Sequence, residues 1–526
     1  MSSIPKWLRL GILLLVLLAG CSTVTNGTSS DDENKDEGAK ANTEANKDEL
    51  TISVGSDMVS WDIHNHKTTS TEAIHVNVFD YLLMRDEKGD IQPHLAKEWK
   101  KVNDTTTEFI LEEGVTFHNG EDLTSDDVKF TLERVAKDDS LRSHGDFDNI
   151  EEVKVINDYT FQIITKDPDP MLLSRISRQA SGILPKDYIE EKGMDYFLQN
   201  PVGSGPLEFV EWKKDDKIVL KPYKDYFNGE VTDWKKVIFK AIPEDSTRVS
   251  ELITGGLDIA SNIPPSDWKR VEEAENAEII NGPSNRTYLL FLRTQEDWPT
   301  SDEKVRSAID YAINDQALVD GLLNGQGTPT LTRVNPGNLG YHEGLYGDYN
   351  YDVKKAKELL KEAGYGNGLS IQLAGPTGRY LLDREVLQMV AGMLNEVGIE
   401  VEMNIMKWGP FVELRQKEDF KDGYLIALGS SFFDAGQSLE YYGSERSETI
   451  NGYKNEKIDS LLEEAATSLD EEERVEKYKQ IQEIANKERP ILPLFQLNQF
   501  FGVNSNVDYQ PRLDELIYVP NITKSN

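Results

Sequence analysis

Two histidines, His64 and His66, stand two residues apart beside Asp62. In an extended strand such side chains share a face, so the three could converge on a divalent metal. His94 and His342 are isolated, and the same histidines suit ordinary surface or capping roles, so no resident metal or cofactor is expected. Two arginines suggest different chemistry. Arg379 lies in Gly375-Pro376-Thr377-Gly378-Arg379-Tyr380, a loop just before a helical pattern, where free amides also favour an anion. Arg446 follows a stretch carrying Tyr441 and Tyr442. A guanidinium can grip a carboxylate through two parallel hydrogen bonds, or simply balance an acidic surface. Trp408, between a strand and a helix, and Phe432 are the aromatics best placed to offer a stacking face. Motifs for catalysis are missing from the sequence: it has no Gly-x-Ser-x-Gly elbow, no His-Glu-x-x-His and no phosphate-binding Gly-rich loop. Seven histidines in 526 residues leave little material for acid–base chemistry, and an enzyme is not expected.

Acidic residues number 93 against 57 Lys plus Arg, a formal net charge of −36. Such a surface repels phosphate backbones, which argues against a nucleic-acid partner. The length suffices for two or three domains, and a single cysteine rules out a disulfide within the chain. That cysteine is Cys21, the last residue of MSSIPKWLRLGILLLVLLAGC. Lys6 and Arg9 lead into an apolar run too short for an ordinary spanning helix, so residues 1–20 read as an export signal. Leu18-Ala19-Gly20-Cys21 resembles the lipobox of bacterial lipoproteins, which implies acylation of Cys21 and anchorage at the extracellular face of the cell membrane. Residues 21–49 are acidic and polar, and should form a flexible spacer.

A folded body must position the arginines and aromatics, and its elements begin near Leu50. Alternation and β-branching predict strands near 50–54, 106–111, 153–156, 160–165, 217–221 and 235–241. The run RTYLLFLRT at 286–294 reads as a strand buried in a sheet. Apolar spacing predicts helices at 70–82, 245–254, 302–323, 352–363, 383–397, 455–467 and 470–487, and another capped by Ser125-Asp126-Asp127. Strands near 369–374, 399–405 and 423–428 alternate with these helices, so the expected class is α/β with a mostly parallel sheet.

Blocks along the chain resemble the family 5 extracellular solute-binding proteins of ABC importers, the oligopeptide, dipeptide and nickel binders. They include Pro93-His94-Leu95-Ala96-Lys97-Glu98-Trp99, the segment from Phe109 to Gly120, Gly203-Ser204-Gly205-Pro206, Val305-Arg306-Ser307-Ala308-Ile309-Asp310-Tyr311 and Asn451-Gly452-Tyr453. The resemblance implies a periplasmic-binding-protein-like type II fold of cluster C, with two main lobes around a ligand cleft and an inserted third α/β lobe. It implies a discontinuous lobe I at 50–90, 203–293 and 496–520, lobe II at 91–202 and lobe III at 294–495. It implies a monomer that captures a small solute or short peptide by lobe closure and hands it to permease and ATPase subunits. In peptide binders of the family an aspartate holds the peptide amine. Here Ser431 stands at the matching place in Gly429-Ser430-Ser431-Phe432-Phe433-Asp434, and Asp434 is the substitute one turn away. A buried ammonium without a carboxylate is costly, so two readings stay open: a peptide, or an anionic peptide-like solute or metal–carboxylate chelate. Ser431, Tyr442 and Asn451 would accompany Arg379 and Arg446 in the second. An oligosaccharide or a purely sensory role is less favoured.

Overall fold

The computed structural model describes residues 48–525 apart from Glu87 and Glu230; the export signal, Cys21 and nearly all of the spacer lie outside the described residues. Residues 287–292 are buried at every position, as their apolar sequence requires. They end a 16-residue strand, Ala277–Leu292, which pairs along its length with Ile491–Asn504. These two crossing strands form the spine of an 11-stranded sheet. On one side the sheet continues through Gly423–Gly429 and Leu369–Thr377 to Ile399–Lys407. On the other it runs through Ile259–Ser261, Glu49–Val54, Lys236–Ala241 and Lys217–Pro222 to Leu207–Lys213.

The sheet is mixed rather than mostly parallel. Parallel pairing is confined to Glu49–Val54 and Leu369–Thr377, each with both of its neighbours. The remaining pairs are antiparallel because the spine strands run in opposite directions and short turns close hairpins such as Leu207–Lys213 with Lys217–Pro222. A register shift between Pro283 and Arg286 interrupts the spine. There Ser284 Oγ donates to the Leu497 carbonyl at 2.5 Å, and Gln496 Nε2 donates to the Ser284 carbonyl at 2.6 Å.

Separate apolar cores sit along this frame. One joins Leu50 and Ile52 to Phe501, Val503 and Ile517. A second fills the four-stranded antiparallel sheet Ala96–Asn103, Thr106–Leu111, Thr160–Thr165 and Ile150–Asn157, where Phe109 stacks on its cross-strand partner Phe161 at 5.3 Å. The third holds residues 288–292 with Val305, Leu373, Leu425 and Ile481. We call these bodies the first, second and third lobes. Residues 288–292, which end the long spine strand, pack in the third of these cores.

Local chemistry sets the element ends. The helix at Ser125–Lys137 is capped by Thr124, with Asp127 returning a bond to the Thr124 amide at 2.9 Å, so this aspartate closes a capping box. The expected helix at 302–323 breaks into Glu303–Ala312 and Asp315–Leu323, because Asn314 caps the second through Ala317 N. The helix expected at 70–82 stops at His75. Buried Asn77 donates to the Ala73 and Ile517 carbonyls and accepts from Val519 N, tying this turn to the C-terminal segment. Gly203 is required by close approach: a methyl there would overlap the Val78 carbonyl. His118 braces the same crossing, with Nε2 2.9 Å from the Gly205 carbonyl.

The first and second lobes are joined by a buried ion pair. Arg178 Nε and Nη2 each donate to Glu72 at 2.8 Å, and the Gln179 amide adds a third bond at 2.8 Å. Burial pulls the Arg178 guanidinium down, but Glu72 overrides it and raises it above its ordinary value. Removing one member of such a pair leaves an uncompensated buried charge. Glu72→Gln should lower the unfolding free energy by about 3 kcal/mol or more, measured by urea denaturation. The exposed pair Glu413–Lys417 is the control, and Glu413→Gln should leave the midpoint nearly unchanged.

Candidate functional site

The third lobe meets the other two along a loop after Gly423–Gly429. Ser430 is held to the spine: its amide donates to the Asn285 carbonyl at 3.2 Å, and its carbonyl accepts from Asn285 Nδ2 at 2.7 Å. The Phe432 carbonyl then accepts from Arg85 Nη2 of the first lobe at 2.9 Å. Phe433 has φ of 56°, a strained conformation for a bulky residue, and its ring faces the Arg85 guanidinium at 4.7 Å and Arg178 at 5.9 Å. Gly89 leaves room for that ring; a methyl there would come within 3.2 Å of it. Near the register shift Arg286 pairs with Glu515 at 2.8 Å, a second contact between the third lobe and the C-terminal segment.

Behind this seam a row of aromatic rings runs across the third lobe. Tyr380 meets Trp408 at 5.8 Å, Trp408 meets Phe411 at 5.8 Å, and Phe411 meets Tyr424 at 6.0 Å. Tyr424 stacks on Phe291 at 4.8 Å, and Phe291 meets Tyr441 at 6.2 Å. Guanidiniums lie along the row. Arg379 is 5.1 Å from Tyr380 and 5.3 Å from Trp408, Arg415 is 5.0 Å from Tyr424, and Arg333 and Arg446 are 4.3 and 5.3 Å from Tyr441. The Nε atoms of Arg379 and Arg415, and Nε and Nη1 of Arg333, are buried without a hydrogen-bond partner among the described residues. Burial pulls Arg333 and Arg379 below the usual range; Glu440 acts on the first and Glu515 and Asp383 on the second, without the override that Glu72 gives Arg178. Donors held in this way can receive anionic oxygens.

A scan against family models matches residues 90–449 to "Bacterial extracellular solute-binding proteins, family 5 Middle". The chain belongs to the family 5 extracellular solute-binding proteins. It is therefore built as the solute-binding component of an ABC importer. Among curated relatives, the glutathione-binding protein GsiB of Salmonella typhimurium is 28% identical over 458 residues, covering 85% of this chain and 88% of the relative. The solved structure of DppA from Helicobacter pylori with the peptide STSA is 25% identical, with a TM-score of 0.81 over 91% of this chain and 98% of that one. NikZ from Campylobacter jejuni, solved with Ni(L-His), is 24% identical and shares the fold, with a TM-score of 0.80 over 91% of this chain and 100% of that one.

In this family 5 protein the residues singled out from sequence divide sharply. Arg379, Trp408 and Arg446 lie on the aromatic row, and Tyr442 is buried within electrostatic reach of Arg333. Ser431 and Phe432 lie in the seam loop, and both amides are bound by Gln437 Oε1, at 2.7 and 3.1 Å. Asp434 is already engaged within the third lobe. One oxygen caps Gly436 N at 2.9 Å, the other is taken by Arg474, and the residue is buried. Asn451 is likewise internal: its Nδ2 donates to the Pro490 carbonyl at 3.0 Å, and its own carbonyl receives Thr294. Arg333 and Arg415 were missed because each is a lone arginine in a stretch without a motif; two unexplained arginines in a strongly acidic chain were the only signal.

The histidines converge on protein groups rather than on a metal. Arg134 Nη1 lies 2.9 Å from Asp62 and 2.5 Å from His64 Nδ1, while His66 Nε2 lies 3.3 Å from His75 Nδ1. All three histidines are buried, and no metal-holding group of three ligands occurs among the described residues. Burial pulls His64 down to about 3 and His66 to about 4. Unfolded histidine titrates near 6.5, so the unfolded chain takes up protons first as pH falls. The stability that depends on these neutral rings is present above pH 6.5 and is lost as pH falls from there to about 4 for His66 and about 3 for His64. Urea midpoints should fall over that window, His66→Gln should flatten the decline, and added Ni²⁺ should not shift the wild-type midpoint.

Proposed function

We propose that this chain is a lipid-anchored receptor that delivers a short, peptide-like solute bearing a free carboxylate to an importer. One observation carries the reading: the Arg379 guanidinium lies on the Trp408 and Tyr380 rings with its Nε lacking a partner among the described residues. A carboxylate there would gain a charge-assisted bond while its carbon skeleton packs on aromatic faces. The locked Asp434 fits the same reading, since it leaves the seam loop without a free acid for a peptide amine. The names of the relatives, a glutathione binder and a peptide binder, agree with a small peptide-like solute. A nickel–carboxylate chelate is the second reading, because the same arginine would grip the chelator's carboxylate. Acylated Cys21 would hold the body at the extracellular face of the membrane, with binding and release in place of turnover.

Native mass spectrometry of the purified protein should show a carboxylate-bearing solute of a few hundred daltons, and metal analysis separates a chelate from a peptide. Arg379→Ala should weaken that solute at least tenfold in calorimetry, about 1.4 kcal/mol; an unchanged affinity would sink the assignment. Cys21→Ser should move the protein from the membrane fraction to the soluble one.

A further inference from the structure

Arg333 differs from the other buried arginines of known role. Arg178 faces Glu72, Arg474 faces Asp434 and Arg512 faces Asp514. Arg248 is satisfied by Asp245 and a cluster of carbonyls, and Arg306 by carbonyls alone. Arg333 is only 4% exposed, yet Nε and Nη1 have no acceptor among the described residues. Two residues on, buried Asn335 uses its oxygen to accept from Thr287 at 3.2 Å, and its Nδ2 also has no acceptor. Donors are therefore in surplus here, and desolvated donors without acceptors are expensive. A second guanidinium, Arg446, shares the Tyr441 ring with Arg333, and Arg415 adds to the positive potential at Arg446. Among the described residues the carboxylate that pairs with them is Glu440, 3.9 Å from Arg446, with both side chains about half exposed. That is too loose a pair to neutralise two or three guanidiniums. Glu440 in turn feels Asp146 and Lys67 of the other lobes, which places this corner of the third lobe at the seam.

We propose that Arg333 and Arg446, on the Tyr441 ring, form a second anion-binding subsite, so that the solute carries at least two anionic groups. The inference rests on the reading of a carboxylate at Arg379 and narrows its substrate class to dianionic peptide-like molecules. Arg379 lies at the Trp408 end of the aromatic row and Tyr441 at the other, so the two anionic groups would sit at opposite ends of the solute. Nothing reacts; each carboxylate exchanges water for guanidinium hydrogen bonds, and Arg333 gains the acceptors it lacks.

The test compares glutathione, which has two carboxylates, with its monoethyl ester, which has one, by calorimetry on the full chain. Wild type should bind glutathione at least tenfold more tightly than the ester. Arg333→Met, which keeps the apolar stem, should bring the two to equal affinity, and Arg446→Met should narrow the gap. Circular dichroism and urea midpoints confirm that the variants fold. Equal affinities in wild type, or an equal loss for both ligands in Arg333→Met, would overturn the second subsite while leaving the Arg379 reading in place. If neither peptide binds wild type, the peptide reading fails, and thermal shifts with citrate decide the subsite. A rise in Tm that is lost in Arg333→Met supports it, and no rise in wild type overturns it.

Discussion

Two antiparallel strands, Ala277–Leu292 and Ile491–Asn504, pass from one core into another, and the arrangement of the protein depends on the first of the two register shifts in their pairing, between Pro283 and Arg286. On one side of the shift they complete the sheet of the first lobe; on the other they complete that of the third. An unsatisfied backbone at that bend would be costly in a buried strand. The sequence supplies the remedies locally: Gln496 and the Ser284 hydroxyl bond across the shift, and Asn285 and Asn338 pair their side-chain amides at 2.7 Å. A two-stranded connection can flex about one axis while each half remains part of a rigid sheet.

Much of this frame was legible in the chain. RTYLLFLRT could only be a strand covered on both faces, and the order of motif blocks pointed to the family before any coordinates. What the sequence concealed was non-local. Sheet direction depends on which strands become neighbours, and the alternation of strands and helices in the third lobe suggested more parallel pairing than the spine permits. Asn77 reads as one more polar residue in a helical stretch, yet its partners at Ile517 and Val519 lie over 400 residues away and end the helix. The site shows the same asymmetry. Arg379 and Arg446 carried a signal through their loops and neighbouring tyrosines, whereas Asp434 and Asn451 had the right chemistry for a ligand and spend it inside the lobe.

Arginine rather than lysine suits the aromatic row. A planar, weakly hydrated cation can lie flat on a ring and still present donors at its edge, which an ammonium cannot do. Each ring contact offsets part of the desolvation of the charge, but it satisfies no N–H. The row therefore holds its guanidiniums in place while leaving Nε of Arg379 and Arg415, and Nε and Nη1 of Arg333, without an acceptor among the described residues. The contrast with the acidic body matters too. With a net charge of −36, positive groups would ordinarily be tied into close carboxylate pairs, yet buried nitrogens of Arg333, Arg379 and Arg415 keep no acceptor among the described residues.

Phe433 couples all three lobes. Its loop belongs to the third, Arg85 to the first and Arg178 to the second, and its backbone sits in a conformation that costs about 1–3 kcal/mol. In a receptor that works by closure, such protein-only contacts would favour the arrangement in which the lobes touch whether or not solute is bound. A permease that recognised lobe position alone would engage any molecule shut while empty and cycle without cargo. The effective affinity for solute likewise depends on how often the empty cleft opens, because molecules that are already shut cannot load. A contact like that of Phe433 would therefore act on two quantities together, the idle rate of the importer and the concentration at which it begins to fill.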